Sequence, residues 1–198
     1  MIEAKSKVPF PNSYWVVPDQ FLAGEYPGDA SGDAVKKYLA ALLDVGIRTF
    51  VDLTDEDEIN EDAKPVPAYR PLLRDLAEER RIEITYARVP IQDRGIPSVW
   101  ALRCILDVID RSIADENPVF IHCWAGRGRT GTVVGCYLKR HELATEQNVI
   151  ETIAELRRLM PAGRDSSPHT PEQVRMVKNL EERRMNPNRQ RIESLRKR

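Results

Sequence analysis

Cysteine is scarce in this chain: three among 198 residues, at positions 104, 123 and 136, with no C-x-x-C spacing. Three cannot all pair, so no disulfide framework is indicated, and no zinc-ribbon arrangement either. Long apolar runs are missing too, the longest being only a few residues against the roughly 20 a membrane-crossing helix needs. The opening stretch, MIEAKSKVPF, lacks the apolar core of a secretory signal. Net charge is almost absent. Thirty Lys and Arg against 31 Asp and Glu leave −1, so no global field gathers nucleic acid or an anionic membrane. What is present, 41% hydrophobic and 31% charged residues, is the composition of a globular chain. The expectation is a soluble, reduced, cytoplasmic protein of one domain over 1–198, with a globular core over about 10–185 and a basic tail over 186–198.

Charge is nevertheless uneven. Val174 to Arg198 carries nine basic and three acidic residues, and Asp52 to Asp62 places seven carboxylates in eleven positions. Such runs read first as a solvated helix end and a solvated loop. The sharper alternative is a tail that touches an acidic surface, or one that gives weak contact with an anionic membrane face.

Short β-branched and aromatic runs alternate with longer amphipathic ones. Ser13–Val17 and Phe21–Ala23 read as strands parted by Pro18-Asp19. A helix capped by Ser31 runs to about Leu43 and ends at Gly46, with Arg48–Leu53 as the next strand. Tyr69 to Glu79 reads as helix and Ile82–Pro90 as strand. Pro97-Ser98 opens a helix with Leu102, Ile105, Leu106, Ile109 and Ile113 on one face. Pro118–His122 is an apolar strand of the kind covered on both sides. Helices over Arg129–His141 and Gln147–Leu159 and one from Pro171 complete the pattern. Strands alternating with helices imply an α/β fold: a mostly parallel central sheet flanked by helices.

The chemistry concentrates in His122-Cys123-Trp124-Ala125-Gly126-Arg127-Gly128-Arg129-Thr130-Gly131, between that apolar strand and a helix. A glycine-bearing loop at a helix start turns several N–H groups into one concavity, where the helix dipole adds positive potential. Trp124, Ala125, Gly126, Arg127 and Gly128 would form such a phosphate nest, and its N–H groups would favour a thiolate at Cys123. Arg129, six residues after Cys123, offers the planar fork that matches two phosphate oxygens and strengthens as charge spreads in a transition state. Cys104 and Cys136, mid-helix, read as inert packing residues.

HCWAGRGRTG resembles the HCxxGxxR[ST]G signature of cysteine-dependent protein tyrosine phosphatases. It is most similar to their dual-specificity and related bacterial-type members. FLAGEYPG and FVDLTDEDE look like the opening strand–turn and third strand of that fold. The resemblance implies a general acid on a loop before the signature. The stretch YARVPIQDRGIPS supplies Asp93, 30 residues before Cys123, though an Asp there also reads as a plain turn residue. The resemblance further implies that His122 supports the thiolate through a hydrogen bond within the loop. Thr130 would either donate to the sulfur or cap the helix. Gln173, in SPHTPEQ, would either position the hydrolytic water or close a capping box with Thr170, and capping is the favoured reading.

The implied activity is metal- and cofactor-free hydrolysis of phosphate monoesters through a cysteinyl-phosphate. The substrate would be a phosphorylated protein, on tyrosine or with dual specificity, or a small phosphate ester, since no lysine-asparagine-arginine-tyrosine string marks a deep tyrosine-only cleft. Arg127 in the loop keeps phosphoinositide or inositol phosphate substrates as the alternative. A phosphate-binding module without catalysis is the reading from a different class, although Cys123, Arg129 and Asp93 are all retained. No nucleic-acid surface of interleaved aromatic and basic residues is evident.

Overall fold

The computed structural model describes residues 7–28, 33–60 and 63–180. The basic tail over 186–198 and the cap at Ser31 lie outside them. Five strands, β1 (Ser13–Val17), β2 (Phe21–Gly24), β3 (Thr49–Asp52), β4 (Thr85–Arg88) and β5 (Val119–His122), form one sheet in the order β1-β2-β5-β3-β4. Only β1, on the edge, runs antiparallel to its neighbour. The helices among the described residues are α1 (Asp33–Asp44), α2 (Arg70–Glu79), α3 (Val99–Ala114), α4 (Arg129–Arg140), α5 (Val149–Arg157) and α6 (Pro171–Lys178).

The period of two along the strands divides the core. Val119, Ile121 and Cys123 turn toward the α3–α6 side, with Leu102, Ile105, Val133, Val134, Ile153 and Val177. Phe120 turns the other way, against Leu39 and Leu42 of α1 and Leu73 and Leu76 of α2. Both sheet faces are therefore covered, as the unbroken apolar centre of β5 requires.

Some expected elements are shorter: the helix expected over Gln147–Leu159 is Val149–Arg157, and a strand is cut more deeply. Of Ile82–Pro90 only Thr85–Arg88 pairs as strand. Ile82 still belongs to the exit from α2, its amide donating to Ala77 O at 2.9 Å.

In-register pairing sets Gly24 beside His122, His122 beside Asp52 and Asp52 beside Arg88. That row marks the carboxyl ends of the parallel strands. In an open α/β sheet the crevice beyond such ends is where ligands bind.

Candidate active site

β5 ends at His122 and α4 begins at Arg129, so residues 123–128 must turn within one loop. Gly126 makes the turn possible. It sits at φ +61°, and a Cβ there would lie 2.4–2.6 Å from Gly24 C and O and Glu25 N. Neighbours hold the loop from outside through its carbonyls. Tyr26 N donates to Trp124 O (2.9 Å), Ser167 Oγ to Arg127 O (2.8 Å) and Thr132 Oγ1 to Gly128 O (2.9 Å). No amide of residues 124–128 is spent on another protein group among the described residues. Pinned carbonyls with unspent amides make an anion nest at a helix N-terminus. Cys123 lies against it, 2% exposed, and Trp124 leans on Tyr26 at the rim with ring centroids 5.3 Å apart.

Arg129 is buried, and its fork is held from behind. Nη1 donates to Glu58 Oε2 (2.5 Å) and Nη2 to Glu58 Oε1 (2.6 Å), while Nη1 also reaches Ile91 O (3.0 Å). Asp93 Oδ1 lies 3.3 Å from Nη2. Burial would lower the arginine pKa, but the Glu58 bonds, with Cys123 and Asp93 nearby, outweigh it and raise it further. Glu58 takes the Nη1–Nη2 edge. Of the Nε–Nη2 edge, only Nη2 has a further neighbour among the described residues, Asp93.

His122 is enclosed. Tyr69 Oη lies 2.7 Å from its Nε2, and its Nδ1 lies 3.1 Å from Cys123 O. Burial pushes Tyr69 well above an ordinary tyrosine, so its hydroxyl is a donor. Nε2 therefore accepts, and Nδ1–H donates to the Cys123 carbonyl, a tautomer assigned from its partners. Burial also pushes His122 below an ordinary histidine, against the attraction of Asp52, which keeps the ring neutral.

Asp52, 1% exposed, collects Thr54 N (2.9 Å), Thr54 Oγ1 (2.6 Å), Tyr86 Oη (2.6 Å) and Arg88 Nε and Nη2 (3.1 and 2.9 Å). Burial opposes a carboxylate there, yet the adjoining His122 and the bonds from Thr54 and Tyr86 hold its pKa down to about 2. With the ring neutral, the donors carry that effect.

The structure thus gathers Cys123, Arg129, Asp93 and His122, as the sequence suggests, and corrects other readings. The acidic run is not simply a solvated loop, because Asp52 and Glu58 are buried ion-pair partners. Nothing in the run separates these two from exposed Asp55, Glu56 and Asp57 except position: Asp52 ends a strand and Glu58 lies one turn beyond. Thr130 does not cap α4; Gly128 is the N-cap, and Thr130 Oγ1 is buried without a hydrogen-bond partner among the described residues. Arg127 turns its guanidinium toward Asp165, Nη1 to Oδ2 3.4 Å. Ala125 is exposed at the loop tip. Gln173 does close a capping box with Thr170. Tyr69 and Arg88 were not singled out from sequence. Their roles depend on non-local partners.

The family model described as "Polymorphic toxin system, DSP-PTPase phosphatase" matches residues 26–143. An uncharacterized protein of Methanocaldococcus jannaschii is 37% identical over 67 residues, covering 34% of this chain and 40% of that one. The human dual specificity protein phosphatase CDC14C is 35% identical over 69 residues, 35% of this chain and 14% of that one. This chain spans half or less of the length of such curated relatives. Among solved structures, Tk-PTP in the active form aligns at TM-score 0.58 and 24% identity, covering 88% of this chain and 99% of that one. PTPMT1 in complex with PI(5)P aligns at 0.63 and 18%, covering 89% and 97%. At these identities the structural likenesses carry the fold.

Proposed function

Because this chain belongs to the DSP-PTPase phosphatase family, within the cysteine-based tyrosine and dual-specificity phosphatase superfamily, we propose that it hydrolyses phosphate monoesters of protein side chains, phosphotyrosine first, through a cysteinyl-phosphate. One observation carries the reading. Asp93 stands 3.3 Å from the guanidinium of Arg129, at the mouth of a loop whose amides are unspent and whose first residue is Cys123.

The substrate phosphate enters the nest, and the Nε–Nη2 edge of Arg129 takes two non-bridging oxygens. The Cys123 thiolate attacks phosphorus; the S–P bond forms as the P–O bond to the leaving group breaks. Asp93 gives that oxygen its proton. In the second step the Asp93 carboxylate takes a proton from water, the water oxygen attacks phosphorus, and phosphate leaves Cys123. Thr130 Oγ1, buried with no hydrogen-bond partner among the described residues, would turn to donate to the departing sulfur. Positive charge comes from Arg129 and the amides, so no metal or organic cofactor takes part in this scheme.

A phosphoinositide headgroup would call on Arg127, the loop's extra cation. Its engagement by Asp165 favours a single phosphate ester, and the near-neutral chain adds no general attraction to lipid.

The test is turnover of phosphotyrosyl and phosphoseryl peptides, phosphoinositides and inositol phosphates, with chelator throughout. Phosphotyrosyl peptides should rank first and the chelator should have no effect. Cys123→Ser should abolish turnover. Asp93→Asn should slow it about 100-fold, in the range for a lost general acid. Substantial activity in the serine variant would end the nucleophile assignment.

A further inference from the structure

We propose that Gln173 is the latch that sets where Asp93 stands, a positioning residue for proton transfer to the leaving group; the inference rests on the phosphatase reading above. Asp93 occupies the second position of a four-residue turn closed by Gly95 N donating to Gln92 O at 2.9 Å. Its third residue, Arg94, sits at φ +59°, a left-handed conformation that a residue with a Cβ holds only when its surroundings enforce it. The Asp93 side chain is mostly exposed, 67%, with Arg129 as its one buried neighbour among the described residues, so the turn itself is held through its backbone.

Two anchors do this. Before the turn, Ile91 N donates to Leu53 O (3.1 Å) and Ile91 O accepts from Arg129 Nη1 (3.0 Å). After it, Gly95 O accepts from Gln173 Nε2 (2.8 Å), with a longer contact from Thr170 Oγ1 to Arg94 O (3.5 Å). Asp93 is suspended between the two.

Gln173 suits the second anchor because its amide cannot turn over. Oε1 accepts from both His169 N (3.0 Å) and Thr170 N (3.1 Å), an arrangement that an NH2 group could not satisfy, so Nε2 must face Gly95. The side chain is fully buried. It also lies flush on the nucleophile loop: a Cβ on Gly128 would sit 3.0 Å from both its Nε2 and Oε1. One amide therefore touches the loop that holds phosphate, the helix cap behind it and the turn that carries the acid. With Oε1 engaged twice, its hydrogen bonds serve the turn and the cap and leave no acceptor for the hydrolytic water.

Gln173→Glu separates latch from cap. A carboxylate keeps the acceptor that closes the capping box, but it sets an oxygen against the Gly95 carbonyl. The assay uses two aryl phosphates, phenyl phosphate, whose leaving group needs protonation, and 2,4-dinitrophenyl phosphate, whose leaving group does not. The expected result is a fall of about 30-fold in kcat/KM for the first and less than about 3-fold for the second, with a flattened alkaline limb in the pH profile. Asp93→Asn should show the same selectivity, and the double variant should be no worse than Asp93→Asn alone. Gln173→Met, uncharged and of similar volume, is the second variant should the glutamate unfold the chain, and the same selectivity is expected of it. Equal losses in kcat/KM on both substrates, or no loss on either, would overturn the latch. A wild-type chain inert on both would overturn the phosphatase reading and the latch with it, whereas an active wild type with an unaltered substrate ratio overturns the latch alone.

Discussion

Glu58 grips Arg129 through two parallel hydrogen bonds, Nη1 to Oε2 at 2.5 Å and Nη2 to Oε1 at 2.6 Å, with both side chains at least nine-tenths buried. The geometry occupies one edge of the guanidinium and removes its freedom to swing away. It also balances a buried cation, and removing one partner of such a pair is costly. Glu58→Ala is expected to lower stability by about 3 kcal/mol, read as a lower urea midpoint. Glu58→Gln keeps the shape without the charge and should mainly reduce kcat/KM, by about 10–100-fold on an aryl phosphate. Unchanged turnover in the glutamine variant would show that Arg129 is held by its carbonyl contacts alone.

Gly126 makes a different kind of prediction, because its role is the absence of an atom. Gly126→Ala would need a left-handed backbone, costing about 1 kcal/mol or more, and would drive a methyl group into the main chain at Gly24 and Glu25. Backbone cannot yield as a flexible side chain can. The expected outcome is a loss of at least about 100-fold in kcat/KM, with the far-ultraviolet circular dichroism of the wild type. A variant that turns over normally would mean the nest tolerates displacement from β2.

The loop over 123–128 and the helices are local matters and could be read from residues in order: the apolar run of β5, the glycines after it, and Thr170 with Pro171 and Gln173 at the start of α6. Asp93 was legible because a turn beyond a strand and before a helix left few alternatives. Glu58, Asp52 and Tyr69 were not. Each acquires its role from a partner 71, 36 or 53 residues away, and a carboxylate within an acidic run carries no local mark of a buried arginine opposite. The strand over Ile82–Pro90 was overdrawn for a similar reason. β-branched Ile82 and Ile84 suit a strand, but the exit from α2 uses Ile82 first.

Acid should destabilise the fold in two stages. His122 is neutral in the folded chain and held below its ordinary pKa. The unfolded chain therefore binds a proton the folded one refuses, and stability declines as pH falls below about 6.5. Asp52 acts lower down. Its folded pKa of about 2 against an ordinary 3.8 means its contribution, about 2 kcal/mol, is full above pH 4 and lost as pH falls toward 2. Urea melts from pH 8 to pH 3 should show both declines. Asp52→Asn should start from lower stability and lose the second decline; an acid limb identical to wild type would remove Asp52 from the account.

Tyr69 tests how far the buried network reaches Cys123. Its hydroxyl fixes His122 with Nε2 as acceptor, which leaves Nδ1–H for the Cys123 carbonyl. Tyr69→Phe keeps the ring packing against Tyr26 and His122 but strips the donor. A neutral imidazole must then either leave Nε2 unpaired in a dry site, at about 1–3 kcal/mol, or move its proton to Nε2, where Asp52 Oδ1 waits 3.8 Å away. The second course removes the bond to Cys123 O and loosens the loop at its first residue. Nitrogen chemical shifts of His122 should report Nδ1–H in the wild type and a change toward Nε2–H in the variant. Turnover should fall about 10-fold, a single weakened hydrogen bond's worth, and alkylation of Cys123 by iodoacetamide should slow in parallel. If the tautomer changes while both rates hold, the histidine only fills space, and the loop's geometry is set by Gly126 and Arg129 alone.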